Sequence, residues 1–107
     1  MNLESAKQTF FTESGEMLDE MERCLLLLEQ DPFDSETMNA LFRSVHTIKG
    51  SSGMFGFTAI MTFTHTVENI LDMLRQGVIP MNAQLTAELL EAHDHIRSLL
   101  SFSAEHP

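Results

Sequence analysis

The sequence predicts an all-α fold, an antiparallel up-down four-helix bundle formed by one domain over residues 1–107. Apolar residues recur at steps of three and four in four successive segments, as they do on one face of a helix. No segment shows the alternation of a strand, and the stretches between the four segments are short. Short connections make long neighbouring helices antiparallel, so the four apolar faces would share one core.

The first two helices are predicted over roughly residues 3–29 and 35–52. Pro32 cannot continue the first helix, and Asp34 or Ser35 can cap the second. The apolar face of the first helix comprises Phe10, Ser14, Met17, Leu18, Met21, Leu25 and Leu28. The face of the second comprises Met38, Leu41, Phe42, Val45 and Ile48. The second helix is expected to end among the glycines that follow.

The third and fourth helices are predicted over roughly residues 57–76 and 82–102. Gly77 is placed to close the third helix, and Pro80 and Asn82 precede the fourth. The apolar face of the third helix comprises Ile60, Phe63, Val67, Ile70, Leu71 and Leu74. The face of the fourth comprises Leu85, Leu89, Ala92, Ile96 and Leu99.

The net charge of the chain limits the classes of molecule that it is expected to bind. The formal net charge is −10, with 16 acidic residues against six lysines and arginines. Nucleic acid and anionic membrane surfaces would be repelled by this field, so we expect protein partners. The longest apolar run, Cys24–Leu28, is far shorter than the ~20 residues of a membrane span. We therefore expect a cytoplasmic, monomeric domain in which the single cysteine, Cys24, is buried.

Reactive and small side chains meet at the end of the second helix, in the stretch RSVHTIKGSSGMFGF (43–57). His46 lies about 100° from the centre of the apolar face, at the border between core and solvent. Gly50 follows one turn later, although glycine costs about 1 kcal/mol of helix stability relative to alanine. The missing side chain would leave room for another molecule to approach the imidazole, and Lys49 supplies a cation nearby.

The third helix carries a matching flank. Glu68 lies about 100° from the centre of its apolar face, with His65 one turn away on the same side. If the flanks of the two antiparallel helices meet, Glu68 reaches His46. A carboxylate that accepts the Nδ1 proton fixes the tautomer and leaves the lone pair of Nε2 pointing outward. An oriented nucleophile of this kind is typical of activated groups.

Three segments carry a resemblance to a known family. The stretch FRSVHTIKGSSGMFGF, followed by THTVENILDMLRQG, resembles the histidine phosphotransfer (Hpt) domain at the N-terminus of CheA-type chemotaxis histidine kinases. The first helix, with FFTESGEMLDEMERCLLLL, is similar too, so the resemblance covers nearly the whole chain. The pairing of H-x-x-K-G with H-x-x-E-N at this separation makes it specific.

The resemblance implies a role for each candidate residue. His46 would take the γ-phosphoryl group of ATP from a separate kinase domain and pass it to an aspartate of a response regulator. Glu68 would be its hydrogen-bonding partner, and Lys49 and His65 would assist. The domain would be a phosphate carrier within a protein histidine kinase, and its partners would be the kinase domain and the receiver domain of the regulator.

The same resemblance bears on access, cofactors and length. Gly50 and Gly53 would form the gap through which both partners reach the imidazole. ATP and Mg would be bound by the kinase domain and no cofactor by this one, in keeping with the absence of a Gly-rich phosphate loop after a strand. Related domains often carry a further C-terminal helix, so we expect the sequence to be cut short at Pro107.

Two other kinds of function remain open at this point. A metal-binding bundle could use His46, His65 and Glu68, although di-metal bundles need paired Glu-x-x-His motifs and this chain offers one set in reversed order. A helical docking module without chemistry would leave all activity intact when His46 is replaced. The remaining histidines are predicted to be exposed and to have no role: His93, His95 and His106.

Overall fold

Four helices and no strand make up residues 2–106, which the computed structural model describes; Met1 and Pro107 of the predicted domain lie outside them. The helices are α1 (Leu3–Gln30), α2 (Ser35–Met54), α3 (Thr58–Arg75) and α4 (Ala83–Glu105). Each helix packs against its neighbours along the chain, and α4 packs against α1, which closes the ring. The extents of 43 × 20 × 20 Å match one long helix by two helix widths. The predicted four-helix bundle is confirmed.

Polar side chains start three of the helices. The side chain of Asn2 accepts a hydrogen bond from the Ser5 backbone N–H at 2.8 Å, and Asn82 accepts one from the backbone N–H of Leu85 at 2.8 Å. Asp34 accepts two backbone N–H bonds and the hydroxyl of Thr37. The Thr37 hydroxyl is the main cause that lowers the pKa of Asp34 below its usual value. These caps satisfy N–H groups that the first turn of a helix leaves unpaired.

α1 runs one residue further than the sequence predicts, and α2 and α4 run two or three residues further. α2 continues through Gly53 to Met54 rather than ending at residue 52, because the first left-handed residue is Gly56, with φ +75°. α4 continues to Glu105 rather than to residue 102, and the N–H of His106 still bonds to the Phe102 carbonyl. Glycine lowers helix propensity without ending a helix, so the turn forms only where the backbone becomes left-handed.

The core follows the predicted faces in α1, α2 and α3 but is shifted on α4. Its buried side chains are Thr86, Leu89, His93, Ile96 and Leu100, whereas the predicted Leu85, Ala92 and Leu99 are only partly buried. The predicted face counted apolar residues alone, and Thr86 and His93 are polar. The buried hydroxyl of Thr86 donates to the Asn82 carbonyl one turn earlier at 3.0 Å, which compensates for its burial.

The prediction that His93 is exposed is wrong. Its side chain is only 3% exposed, between α4 and α1. Nε2 lies 3.0 Å from the carbonyl oxygen of Leu18, and Nδ1 lies 3.0 Å from Asp94 Oδ1. A histidine can occupy a core position because its polar atoms find partners there. His95 and His106 are exposed, as predicted.

Candidate functional site

His46 of α2 and Glu68 of α3 meet at the border between the two helices. Glu68 Oε2 is hydrogen-bonded to His46 Nδ1, and 60% of the His46 side chain is exposed against 10% of the Glu68 side chain. An ionised carboxylate can only accept, so Nδ1 carries the proton. Within residues 2–106, Nε2 has no hydrogen-bond partner. In the neutral ring, the lone pair of Nε2 therefore faces solvent.

Lys49 binds the second oxygen of Glu68. Its Nζ donates to Glu68 Oε1 at 2.6 Å, and only 23% of the Lys49 side chain is exposed. Burial by itself raises the pKa of Glu68, but the hydrogen bonds and charges of Lys49 and His46 outweigh that effect and hold the pKa below its usual 4.5. Glu68 is thus ionised at neutral pH, and each of its oxygens has a partner.

His65 lies on the rim of this arrangement. Its Nδ1 is 4.0 Å from Glu68 Oε1, which is beyond hydrogen-bond distance, and 58% of its side chain is exposed. The structure therefore brings all four predicted side chains together, but only His46 and Lys49 contact the carboxylate directly.

The two predicted gap glycines differ in their surroundings. A Cβ built on Gly50 would meet no atom within 4 Å, so packing does not require glycine there. A Cβ on Gly53 would lie 3.0 Å from Met61 Sδ, a contact that the flexible methionine side chain would relieve by shifting slightly. Both glycines border a shallow hollow of about 430 Å³. Its lining residues are Lys49, Gly50, Gly53, Met61, Thr62 and His65.

Sequence reasoning missed two residues beside His46. The rings of Phe42 and His46 are nearly parallel, with 11° between their planes and 6.0 Å between centroids. Arg75, at the end of α3, places its guanidinium carbon 4.0 Å from the Phe42 centroid. Phe42 was predicted only as a core residue, although its spacing of four from His46 puts both on one helix face. Nothing in the sequence indicates the contact with Arg75.

Within the residues that the structure describes, neither Cys24 nor a cluster of metal ligands offers a second site. Cys24 is fully buried, and burial is the main cause that raises the pKa of its thiol to about 11, so the thiol stays protonated and unreactive. Across residues 2–106, no group of three or more His, Cys, Asp or Glu side chains could hold a metal ion. The metal-binding alternative lacks a donor cluster there. None of the helices described is long and apolar enough to cross a membrane.

Comparison with known proteins identifies the family. Residues 5–99 match the family described as the Hpt domain. The chain belongs to this family. The Hpt domain is 41% identical over 100 residues to the chemotaxis protein CheA of Salmonella typhimurium, an alignment that covers 94% of this chain and 15% of the relative. The chain thus spans about 15% of the length of the curated relatives it matches. The predicted family is confirmed.

Solved structures share the fold of this Hpt domain. The CheA phosphotransferase domain from Thermotoga maritima superposes with a TM-score of 0.89 at 32% identity, covering 97% of this chain and 99% of that one. The phosphorylated P1 domain of CheA3, solved in complex with CheY6 from R. sphaeroides, gives a TM-score of 0.89 at 28% identity. That superposition covers 96% of this chain and 80% of the other. These likenesses agree with the bundle described above.

Proposed function

We propose that this Hpt domain carries a phosphoryl group on His46 within a CheA-type chemotaxis histidine kinase. One observation above all supports the proposal. The imidazole has one nitrogen bonded to a buried, ionised carboxylate and the other open to solvent. A phosphate carrier must react with separate donor and acceptor proteins. It therefore needs a nucleophile whose one nitrogen is held in place while the other nitrogen is exposed.

The chemistry follows from the two ring nitrogens. The lone pair of His46 Nε2 attacks the γ-phosphorus of ATP, an N–P bond forms, and the bond from phosphorus to the bridging oxygen breaks as ADP leaves. Nδ1 keeps its proton, and the charge of Glu68 stabilises the positive charge that develops on the imidazole. Lys49 holds Glu68 in place and adds a positive charge beside the incoming phosphate.

Transfer onward reverses these bonds. A carboxylate oxygen of the acceptor aspartate attacks phosphorus, the N–P bond breaks, and its electron pair returns to Nε2. The open space at Gly50 gives both partners access to the same nitrogen. The complex of the phosphorylated CheA3 domain with CheY6 supports a response-regulator receiver domain as the acceptor.

The domain by itself is a carrier, and its donor is a separate kinase domain that binds ATP and Mg. CheA relatives, of which the chain spans about 15%, support that donor, and we expect a cytoplasmic setting. The net charge of −10 repels nucleic acid and anionic lipid, and we expect the carrier to work as a monomer.

The test is to incubate the domain with a CheA-type kinase domain, Mg and γ-labelled ATP, and to map the labelled residue by mass spectrometry. We expect an acid-labile phosphate on His46 that a receiver domain removes when it is added afterwards. The T. maritima phosphotransferase domain serves as the positive control. A chain that stays unlabelled while this control is labelled, or that carries its phosphate elsewhere, contradicts the proposal.

A further inference from the structure

The hydrogen bond from Nδ1 leaves one motion of the His46 ring unrestrained. The one hydrogen bond to Glu68 restrains only one combination of the two side-chain torsions of His46, χ1 and χ2, so the ring can still pivot through the other combination. Such a pivot moves Nε2, because this nitrogen lies at the end of the ring away from Cβ. With 60% of the side chain exposed, contacts with the remainder of the bundle limit the pivot weakly. A second restraint is needed to aim Nε2.

Phe42 supplies a surface that matches this motion. It lies one turn before His46 on α2, and its ring is within 11° of parallel to the imidazole at 6.0 Å between centroids. Offset stacking of aromatic rings in this distance range is favourable. A pivot of the imidazole would break the parallel alignment. The stack therefore fixes the plane of the ring, whereas Glu68 fixes one of its atoms.

Phe42 is itself held from α3. The guanidinium carbon of Arg75 lies 4.0 Å from the centroid of the Phe42 ring, within the range of a cation–π contact. Asp72, one turn earlier on α3, lies 3.7 Å from Arg75 Nη2 and orients it. A continuous series of contacts thus runs from the end of α3 through Phe42 to the imidazole.

We infer that Phe42 is a positioning residue for His46, and that Arg75 holds Phe42 in the orientation that aims Nε2. The inference deepens the proposed function and rests on it for its kinetic consequences. The order of the imidazole in the unphosphorylated domain does not depend on that function and can be measured separately.

The central variant is Phe42→Leu, which keeps an apolar side chain and removes the ring. NMR relaxation of the ring carbons should show greater mobility of His46, while nitrogen shifts still report Nδ1–H as the main tautomer, because Glu68 is intact. Phosphorylation by the kinase domain should slow about fivefold, well short of the roughly hundredfold that a misplacement of 1 Å can cost.

Two matched variants isolate the effect of the stack. Phe42→Tyr retains an aromatic ring and should restore both ring order and rate. Phe63→Leu removes another partly buried phenylalanine, whose ring contacts His95 rather than His46, and should leave His46 unaffected.

A further variant, Arg75→Gln, tests the contact that holds Phe42. It should slow phosphorylation as Phe42→Leu does, but by only about twofold, because the Phe42 ring itself remains.

Reaction with phosphoramidate distinguishes the orientation of Nε2 from the intrinsic reactivity of the imidazole. This small donor transfers its phosphoryl group to Nε2 as ammonia leaves, and it can approach from many directions. Phe42→Leu should change this rate by less than about twofold. An equal loss with both donors, an unchanged ring mobility, or a Phe42→Tyr variant as slow as Phe42→Leu would each overturn the positioning role. If the kinase does not label the wild-type domain, the proposed function fails, and the ring mobility still decides the role of Phe42.

Discussion

Two histidines of this bundle, His46 and His93, place the same imidazole in opposite environments. The His46 side chain is 60% exposed, with Nδ1 bonded to Glu68 and Nε2 open. The His93 side chain is 3% exposed, and both of its nitrogens have partners, in the Leu18 carbonyl and the Asp94 carboxylate. The His46 ring is hydrogen-bonded at one nitrogen, whereas each nitrogen of His93 lies 3.0 Å from an oxygen atom.

The difference shows what separates a reactive histidine from a structural one. A nucleophile needs an unshared lone pair that a partner can reach, and of these two rings His46 is the one that has it. A histidine in a core needs hydrogen-bond partners within the protein, and each nitrogen of His93 lies 3.0 Å from an acceptor oxygen. The two rings should therefore respond to substitution in opposite ways, one in function and the other in stability.

The largest effect expected is that of His46→Gln. Phosphorylation should be abolished, because within residues 2–106 no other exposed imidazole has its Nδ1 bonded to a buried carboxylate. Stability should change by less than about 0.5 kcal/mol, as is usual for an exposed position. Labelling with ATP and a kinase domain, beside a urea unfolding curve, checks both. If the label persists in this variant or moves to His65, His46 is not the phosphorylated residue.

The converse variant, His93→Ala, should destabilise the domain by roughly 2–3 kcal/mol, because it removes buried hydrogen bonds and leaves a cavity. Phosphorylation of His46 should remain normal at temperatures where the variant is folded. Urea unfolding measures the loss, and His95→Ala is the matched control, since His95 is an exposed histidine of the same helix. Equal stabilities for the two variants would mean that burial of His93 contributes nothing.

Glu68→Gln tests the anchor of His46. The amide keeps the size of the side chain but removes the charge that favours Nδ1–H. Phosphorylation should slow about tenfold, which is less than a positioned acid–base partner contributes, because Glu68 orients the ring rather than transferring a proton. The nitrogen shifts of His46 should change from one main tautomer to a mixture. An unaltered tautomer ratio would show that the carboxylate does not hold the ring.

Gly50 tests access to His46. Gly50→Ala and Gly50→Leu should both stabilise the domain by about 1 kcal/mol, because the position is helical and a Cβ meets no atom within 4 Å. Only the leucine should slow transfer from the kinase and to the regulator. Gly15→Ala, at an equally open helical position of α1, controls for helix propensity. A Gly50→Leu variant that melts higher and transfers normally would contradict the access role.

The smallest expected effect is a loss of stability at low pH. The pKa of Glu68 in the folded domain is below its usual 4.5, so its contribution to stability is complete above about pH 4.5 and is lost as the pH falls through the folded value. The stability difference between wild type and Glu68→Gln should therefore shrink below about pH 4.5. Urea midpoints between about pH 6 and pH 3 measure it. A difference that does not vary with pH would show that no ionic contact of Glu68 stabilises the fold.

Periodicity in the sequence was enough to predict the bundle and the flank that carries His46. The meeting of Glu68 with His46 follows from two helix flanks joined by a short turn, so local geometry determines it. His93 could not be assigned in the same way, because its partner is a carbonyl oxygen 75 residues earlier in the chain. The contact of Arg75 with Phe42 joins the same two helices, but it depends on the conformation of a long arginine side chain at the end of α3, which helix spacing does not specify.

Under the proposed function, the exposure of His46 also affects how long the phosphorylated state lasts. A phosphoryl group on Nε2 would stand in water, since more than half of the His46 side chain is already solvated before phosphorylation. The hydrogen bond at Nδ1 holds one side of the ring and leaves Nε2 exposed to solvent. The lifetime of the phosphorylated state is therefore set by the hydrolysis of the N–P bond and by the arrival of an acceptor. The phosphorylated fraction of the domain would then report recent kinase activity and fade once that activity stops.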